Sequence, residues 1–307
     1  MQAGAGERKT TVALTSLVAA AALTGFKAAV GLLTGSLGII AEAAHSALDL
    51  VAAGATYFAV RTAARPPDSG HRYGHGKVEN LSALFEAVLL LVTCAWIVSA
   101  AVHRLLSGNA EVEVTVWSFG VMFASIAVDW FRSRALYRVA KETRSQALEA
   151  DALHFATDLW SSGVVIVGLI CVGLAGRLPA APWLRHGDAV AAIAVAGIAI
   201  KVTLQLGMRA VHVLMDAAPS ETEERIVRAA ESVPGVVDCH SIRFRYSGPT
   251  LFVDAHISMD GRLPLSRAHD IADQVELAVQ TELSGADVTV HCEPVEEDLG
   301  GAAVQDP

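Results

Sequence analysis

Two short fragments carry the chemistry of this chain: His45-x-x-x-Asp49 and His154-x-x-x-Asp158. Each places an imidazole one helical turn from a carboxylate, on the same face if the segment is helical. Both lie in stretches apolar enough to cross a bilayer, where an ionisable side chain is costly and marks function by default. Two such helices facing each other present two imidazoles and two carboxylates to one point. Nitrogen-plus-oxygen donors in tetrahedral array suit a divalent metal, zinc best, and the carboxylates offset its charge in a medium hostile to bare ions. One such pair alone reads equally well as an interhelical hydrogen bond that glues a bundle, but the repetition favours a metal pathway.

The elements that must position these residues are membrane helices. The chain has 307 residues, 53% of them hydrophobic, with a mean hydropathy of +0.44, and that composition belongs to membrane proteins. Apolar spans run from roughly 11 to 32, 37 to 62, 79 to 106, 114 to 139, 147 to 175 and 188 to 212, about the length a helix needs to cross. Six crossings return the chain to its starting side. Basic residues gather at Arg8 and Lys9, at Arg61, Arg65, Arg72 and Lys77, and at Arg132, Arg134, Arg138, Lys141 and Arg144; the opposite loops offer only Arg104, Arg177 and Arg185. The positive-inside rule then puts both termini in the cytoplasm of a multi-pass inner (plasma) membrane protein. The first span lacks a short apolar core followed by a small-residue cleavage site, so it reads as a retained helix rather than a signal peptide.

Composition changes after Asp216. Residues 217 to 307 hold 17 Asp and Glu against 6 Lys and Arg, while residues 1 to 216 hold 15 acids and 17 bases. This predicts a transmembrane domain over 1–216, a soluble domain over 217–295 and a disordered tail over 296–307. An acidic cytoplasmic domain argues against nucleic acid and against tight docking on anionic lipid. In the soluble part, helical periodicity over Glu221 to Ser232 is followed by strand-like runs over Val236 to Tyr246 and Thr250 to Met259, joined by Ser247-Gly248-Pro249. A second helix over Pro264 to Leu283 and a third strand over Asp287 to Cys292 complete a small α-β-β-α-β sandwich. About eighty residues make a marginal core, which oligomerisation or bound metal would support.

Further clusters could take a cation. The loop between the second and third spans is rich in helix breakers and carries Asp68, His71 and His75 within eight residues; solvated polar residues are the bland alternative. In the soluble domain the hairpin brings His240 towards His256, with His269 on the second helix and His291 and Glu293 on the last strand. Cys94, Cys171, Cys239 and Cys292 form no Cys-x-x-Cys pair and read as small hydrophobes or free thiols. Strand alternation turns Cys239 and Cys292 away from the neighbouring His240 and His291. Lys27, Glu42, Glu86, Asp129 and Lys201 in the membrane spans read as structural pairs or snorkelling ends.

These residues, over nearly the whole chain, resemble the cation diffusion facilitator family, and within it the bacterial zinc-exporting members of the YiiP type. The resemblance implies six transmembrane helices, a cytoplasmic domain of metallochaperone-like shape and a homodimer. It implies a transport site at His45, Asp49, His154 and Asp158, a loop site at Asp68, His71 and His75, and a binuclear site at His240, His256, His269, His291 and Glu293. The stretches Ser247-Gly248-Pro249-Thr250 and Leu263-Pro264-Leu265 through Glu276 look like the same family domain. Lys77 and Asp216 match a family ion pair at the hinge between the two halves. Two positions depart: the YiiP type has Asp where this chain has His45, a change the family associates with zinc over cadmium, and Asp in place of Glu293, one methylene shorter.

The expected function is Zn²⁺/H⁺ antiport out of the cytoplasm, with zinc and protons as substrates. No G-x-x-x-x-G-K motif occurs, so a gradient rather than ATP supplies the energy. Export of another divalent metal (Cd, Co, Ni, Fe) and a membrane-tethered sensor or buffer are the alternatives. An intramembrane metalloprotease would call for His-Glu-x-x-His, which is absent.

Overall fold

The computed structural model describes residues 2–35, 37–107, 116–175, 187–217, 219–248 and 250–295. Pro249, Arg177, Arg185 and the tail 296–307 of the sequence expectations lie outside the described residues. The chain divides into two compact units, Met1–Leu214 and Met215–Pro307.

Among the described residues the first unit contains six helices: α1 (Gln2–Thr34), α2 (Leu37–Ala63), α3 (Lys77–Ser107), α4 (Val116–Thr143), α5 (Gln146–Ala175) and α6 (Gly187–Leu214). Three segments, Gly6–Thr34, Lys77–Ser99 and Val195–Leu214, meet length and hydropathy criteria for spanning a bilayer among the described residues. The bundle is inverted relative to a water-soluble one. Leu32, Leu33, Phe58, Trp96, Phe131 and Trp160 face outward, while small residues such as Ala52, Ala53, Ala83, Ala87, Ala147 and Ala150 are buried. Small side chains let backbones approach closely where no hydrophobic gain separates lipid from protein interior. Gly31 shows the limit: a Cβ there would meet Cγ1 of Ile40 at 2.9 Å and its backbone nitrogen at 3.1 Å, where α1 turns into α2.

Polar cross-links gather at one end of the bundle, where the basic loops lie. Lys9 of α1 donates to Glu79 of α3 at 2.5 Å, and Ser145, ahead of α5, donates to the other oxygen of Glu79. All three are buried. Arg8 pairs with Glu142 at 2.6 Å, Asn80 donates to Gln146 at 2.8 Å, and Arg209 reaches Glu149 at 3.2 Å. Helix α1 therefore runs well beyond the span expected from residue 11. Lys9, read in the sequence as one of a basic cluster, is a buried ion-pair partner.

The second unit has α7 (Ser220–Glu231), β1 (Asp238–Ser247), β2 (Thr250–Met259), α8 (Leu265–Glu282) and β3 (Ala286–Pro294). The three strands form one sheet in the order β1-β2-β3, with β1 antiparallel and β3 parallel to β2. Parallel pairing of β2 with β3 requires a crossover, which α8 supplies. Alternation on β2 is clean: Leu251, Val253, Ala255, Ile257 and Met259 are buried beneath α7 and α8, with Ile226, Ile271, Val275 and Val279 opposite. On β1 the register slips by one residue between His240 and Arg243, with Ser241 at φ 51°. The bulge exchanges odd for even, so Cys239 before it and Phe244 after it both face the core. Gly235, at φ 105°, turns the chain from α7 into the sheet; a Cβ there would lie 2.8 Å from Cδ1 of Ile271.

Ile257 is fully buried at the centre of this core. Ile257→Ala removes its packing on α8 and is expected to destabilise the second unit by about 2–5 kcal/mol, read from denaturant unfolding of residues 215–295. Lys9→Met leaves Glu79 as an uncompensated buried charge in the first unit, at a cost of roughly 3–5 kcal/mol. A loss of melting temperature in detergent checks this, with partial recovery expected in Lys9→Met combined with Glu79→Gln.

Candidate metal centre

The tetrad assembles between α2 and α5. His45 and Asp49 are one turn apart on α2, His154 and Asp158 one turn apart on α5, and the contacts cross between the helices. Nε2 of His154 lies 3.1 Å from Oδ1 of Asp49, and Nε2 of His45 lies 4.0 Å from Oδ1 of Asp158. Nε2 of His154 is also 3.6 Å from Oδ2 of Asp158. Donor atoms of His45, Asp49 and Asp158 all fall within 4.8 Å of one another. His154 is almost wholly buried and packs edge-on against Phe155, while the other three residues are half-buried. Four donors, two nitrogen and two oxygen, thus surround one point that remains reachable. Zinc–ligand bonds of about 2.0–2.2 Å place the corners of a tetrahedron roughly 3.3–3.6 Å apart, so the separations of 3.1, 3.6 and 4.0 Å between these donors suit such an ion.

Around the tetrad, buried charges are held by other partners. Nζ of Lys27 donates to Glu42 at 2.9 Å and to Oγ of Ser46 at 2.7 Å. Arg132 gives Nη1 to Asp129 at 3.3 Å and Nε and Nη2 to Oγ of Ser16, and it stacks on Phe155 with 3.5 Å to the ring centroid. The structural reading of Lys27, Glu42 and Asp129 thus acquires named partners.

The loop cluster also comes together. Asp68 accepts hydrogen bonds from the backbone N–H groups of Gly70 at 2.9 Å and His71 at 2.7 Å, a turn that fixes its carboxylate. Nδ1 of His71 is 3.4 Å and Nε2 of His75 3.3 Å from that carboxylate, and the two rings lie 4.4 Å apart. The backbone N–H bonds, that of His71 foremost, hold the Asp68 carboxyl below its usual range. Nδ1 of His75 is buried without a hydrogen-bond partner, the sort of donor a metal would satisfy. Ordering a Gly-rich loop costs conformational entropy, and these two bonds to Asp68 offset part of it.

In the sheet, register explains the third cluster. His240 pairs with His256 and His256 with His291, so the three imidazoles form a row across the strands on the face left open by the helices. Glu293, two residues beyond His291, shares that face. Its carboxylate is 3.1 Å from Nε2 of His240, 2.8 Å from Nδ1 of His256 and 3.6 Å from Nε2 of His291. His269 does not join. It sits on α8, over the opposite face, with its side chain exposed and 3.8 Å from Asp273. Helical periodicity located α8 but gave no means of knowing which side of the sheet it covers. Cys239 and Cys292 lie in the core row with Ile257, away from the histidines, and burial raises both thiols, Cys239 to about 11.

With fold and clusters described, the chain can be assigned: a six-helix polar-cored bundle joined to this α-β-β-α-β unit is a divalent-cation efflux protein, and the chain belongs to the cation diffusion facilitator family. The family model for the cation efflux transmembrane domain matches residues 13–215, and that for the cation efflux protein cytoplasmic domain matches residues 218–295. Among relatives, the cation-efflux pump FieF of Yersinia enterocolitica is 31% identical over 267 residues, covering 85% of this chain and 84% of that one. The FieF pump of Shigella boydii is 33% identical over 262 residues, with 85% and 84% covered. Among solved structures, a MamM CTD variant is 33% identical over 25% of this chain and 96% of its own, with a TM-score of 0.24.

The sheet cluster makes a pH prediction. Its hydrogen bond to Asp238 at 2.9 Å, and then that to Glu293, raise the proton affinity of His240 above the ordinary imidazole value; the partner imidazoles, His256 first, lower that of Glu293. A metal ligates only the neutral imidazole. Metal affinity of residues 215–295 is therefore expected to be full above the raised pKa of His240 and to fall as pH drops through it. Asp238→Asn should move the midpoint of that fall to lower pH, checked by dye-competition titration with zinc at a series of pH values.

Proposed function

We propose that this protein is a Zn²⁺/H⁺ antiporter that moves zinc out of the cytoplasm through the tetrad of His45, Asp49, His154 and Asp158. The observation that carries the reading is the crossed pairing of His154 with Asp49 and His45 with Asp158 across two helices. Two imidazoles and two carboxylates compensate a divalent cation within an apolar bundle and favour zinc over harder ions.

Coupling follows from the ligands. Each imidazole must be neutral to hold zinc, so metal and proton compete for the same nitrogen. On the cytoplasmic side zinc displaces protons; on the outer side protons displace zinc. Basic residues at the loop end of the bundle support the cytoplasm for that end and for both termini. The protein acts as a homodimer in the inner membrane, assembled through its cytoplasmic domain. There His240, His256, His291 and Glu293 would hold regulatory zinc, and Asp68, His71 and His75 would hold it at the loop. Zinc bound in these places would neutralise the acidic clusters and fix their elements. Transport itself runs through the tetrad.

Reconstitution in proteoliposomes tests this. Acid on the side opposite the cytoplasmic domain should drive zinc towards the acid, with protons flowing the other way. Zinc affinity at the tetrad should fall as pH drops, because protons compete with zinc for the two imidazoles. Asp49→Ala or Asp158→Ala should lower flux by a hundredfold or so, beyond the roughly 10–100-fold of a ligand's supporting residues. His45→Asp should admit cadmium, since it trades imidazole for a third carboxylate. Zinc binding without flux would make the protein a sensor or buffer, and flux indifferent to pH would make it a facilitated channel.

A further inference from the structure

Between the tetrad and the basic end of the bundle lies a second set of buried polar groups that the transport site leaves unused. Glu86 on α3 and Asp151 on α5 are fully buried. Each has one oxygen engaged: Thr56 of α2 donates to Oε1 of Glu86, and Ser16 of α1 donates to Oδ2 of Asp151 at 3.4 Å. Each has one oxygen bare, Oε2 of Glu86 and Oδ1 of Asp151, and Oγ of Ser82 and Nδ1 of His154 are buried and unpartnered as well. Ser82 and Glu86 are one turn apart on α3, as are Asp151 and His154 on α5. Thr56 lies seven residues beyond Asp49, about 10 Å along α2 towards the basic end, and Asp151 lies three residues from His154 in the same direction.

The charge balance of this tract is unfavourable if every carboxyl is ionised. Arg132 is the cation that acts on Asp151, and it reaches Asp151 through Ser16 while its Nη1 is engaged by Asp129. Asp49 of α2 and His154 of α5 also act on Asp151; Asp151 and His154 act in turn on Glu86. One guanidinium is thus shared between Asp129 and Asp151, Glu86 answers to His154 and Asp151 instead, and Glu86 and Asp151 each carry a bare buried oxygen; an ionised carboxylate left so is costly. A proton relieves this, since it neutralises one carboxyl and makes a donor for a bare acceptor.

We propose that Glu86 and Asp151 form a proton-holding carboxylate pair between the tetrad and the basic end of the bundle, taking up and passing on protons as cargo enters the tetrad. The proposal rests on the antiport reading above. When zinc arrives from the cytoplasm, the proton leaves a tetrad nitrogen, which becomes neutral, and lands on a carboxylate of the pair, which becomes a carboxylic acid. The acid then loses it to water at the basic end and is a carboxylate again.

The test uses the full-length protein in proteoliposomes with paired zinc and proton dyes. Glu86→Gln should reduce the protons returned per zinc by about half or more and flatten the pH dependence of flux, whereas Glu86→Asp should keep the coupling. Thr56→Val, which removes a donor to the ionised form of Glu86, should move the pH midpoint of flux upwards. Zinc affinity at the tetrad, by equilibrium dialysis, should stay within about twofold in all three. Wild-type coupling ratio and pH profile in both Glu86→Gln and Thr56→Val overturn the relay while leaving antiport standing. One zinc fewer bound per chain in Glu86→Gln also overturns it, because the pair would then be a metal site. No proton counterflow in the wild-type protein removes the antiport reading, and the relay with it.

Discussion

The constraint on which the rest of this structure depends is the cost of an uncompensated charge in an apolar interior. Among the described residues, the basic groups buried in the bundle are each met by a named partner. Lys9 meets Glu79, Lys27 meets Glu42 and Ser46, and Arg132 meets Asp129 and Ser16. Most of these contacts join different helices, so neutralising charge also ties the bundle together. The tetrad obeys the constraint differently. Lys9 and Lys27 bind their carboxylates at 2.5 and 2.9 Å, whereas the tetrad contacts range from 3.1 to 4.0 Å. Its two carboxylates face imidazoles rather than fixed cations, so a divalent cation would complete the charge balance that lysine or arginine supplies elsewhere.

The soluble unit solves a separate problem, that of bringing distant residues into one row. Antiparallel pairing sets His240 beside His256, and parallel pairing after the α8 crossover sets His256 beside His291. The bulge at Ser241 lets β1 present the His240 imidazole to the open face and still bury Phe244 four residues later. A regular strand would satisfy the site or the core, but not both.

Much of this was legible in the sequence, for identifiable reasons. Four-residue His–Asp spacing survives in the primary structure because α-helical geometry converts it directly into a shared face. Among the described residues, the six helices of the first unit and the five elements of the second follow from hydropathy and periodicity, three of those helices meeting the criteria for a bilayer span. What stayed hidden depends on relations between elements. Which side of the sheet α8 covers is not written in its own periodicity, so His269 read as a ligand. Lys9 read only as one of a basic cluster because its partner lies seventy residues away. The turn that orders Asp68 rests on backbone N–H groups, which residue types do not announce.

The register that gathers the histidines also governs sulfur. Cys239, Ile257 and Cys292 are neighbours across the strands, one residue displaced from the imidazole row and on the opposite face. Burial keeps both thiols protonated at neutral pH, and thiolate is the form that binds metal or reacts with oxidants. A one-residue alternation thus acts as a chemical filter. It offers passing ions a surface of nitrogen and oxygen and withholds the sulfur that would trap thiophilic metals such as monovalent copper, and it spares the same sheet from oxidative cross-linking.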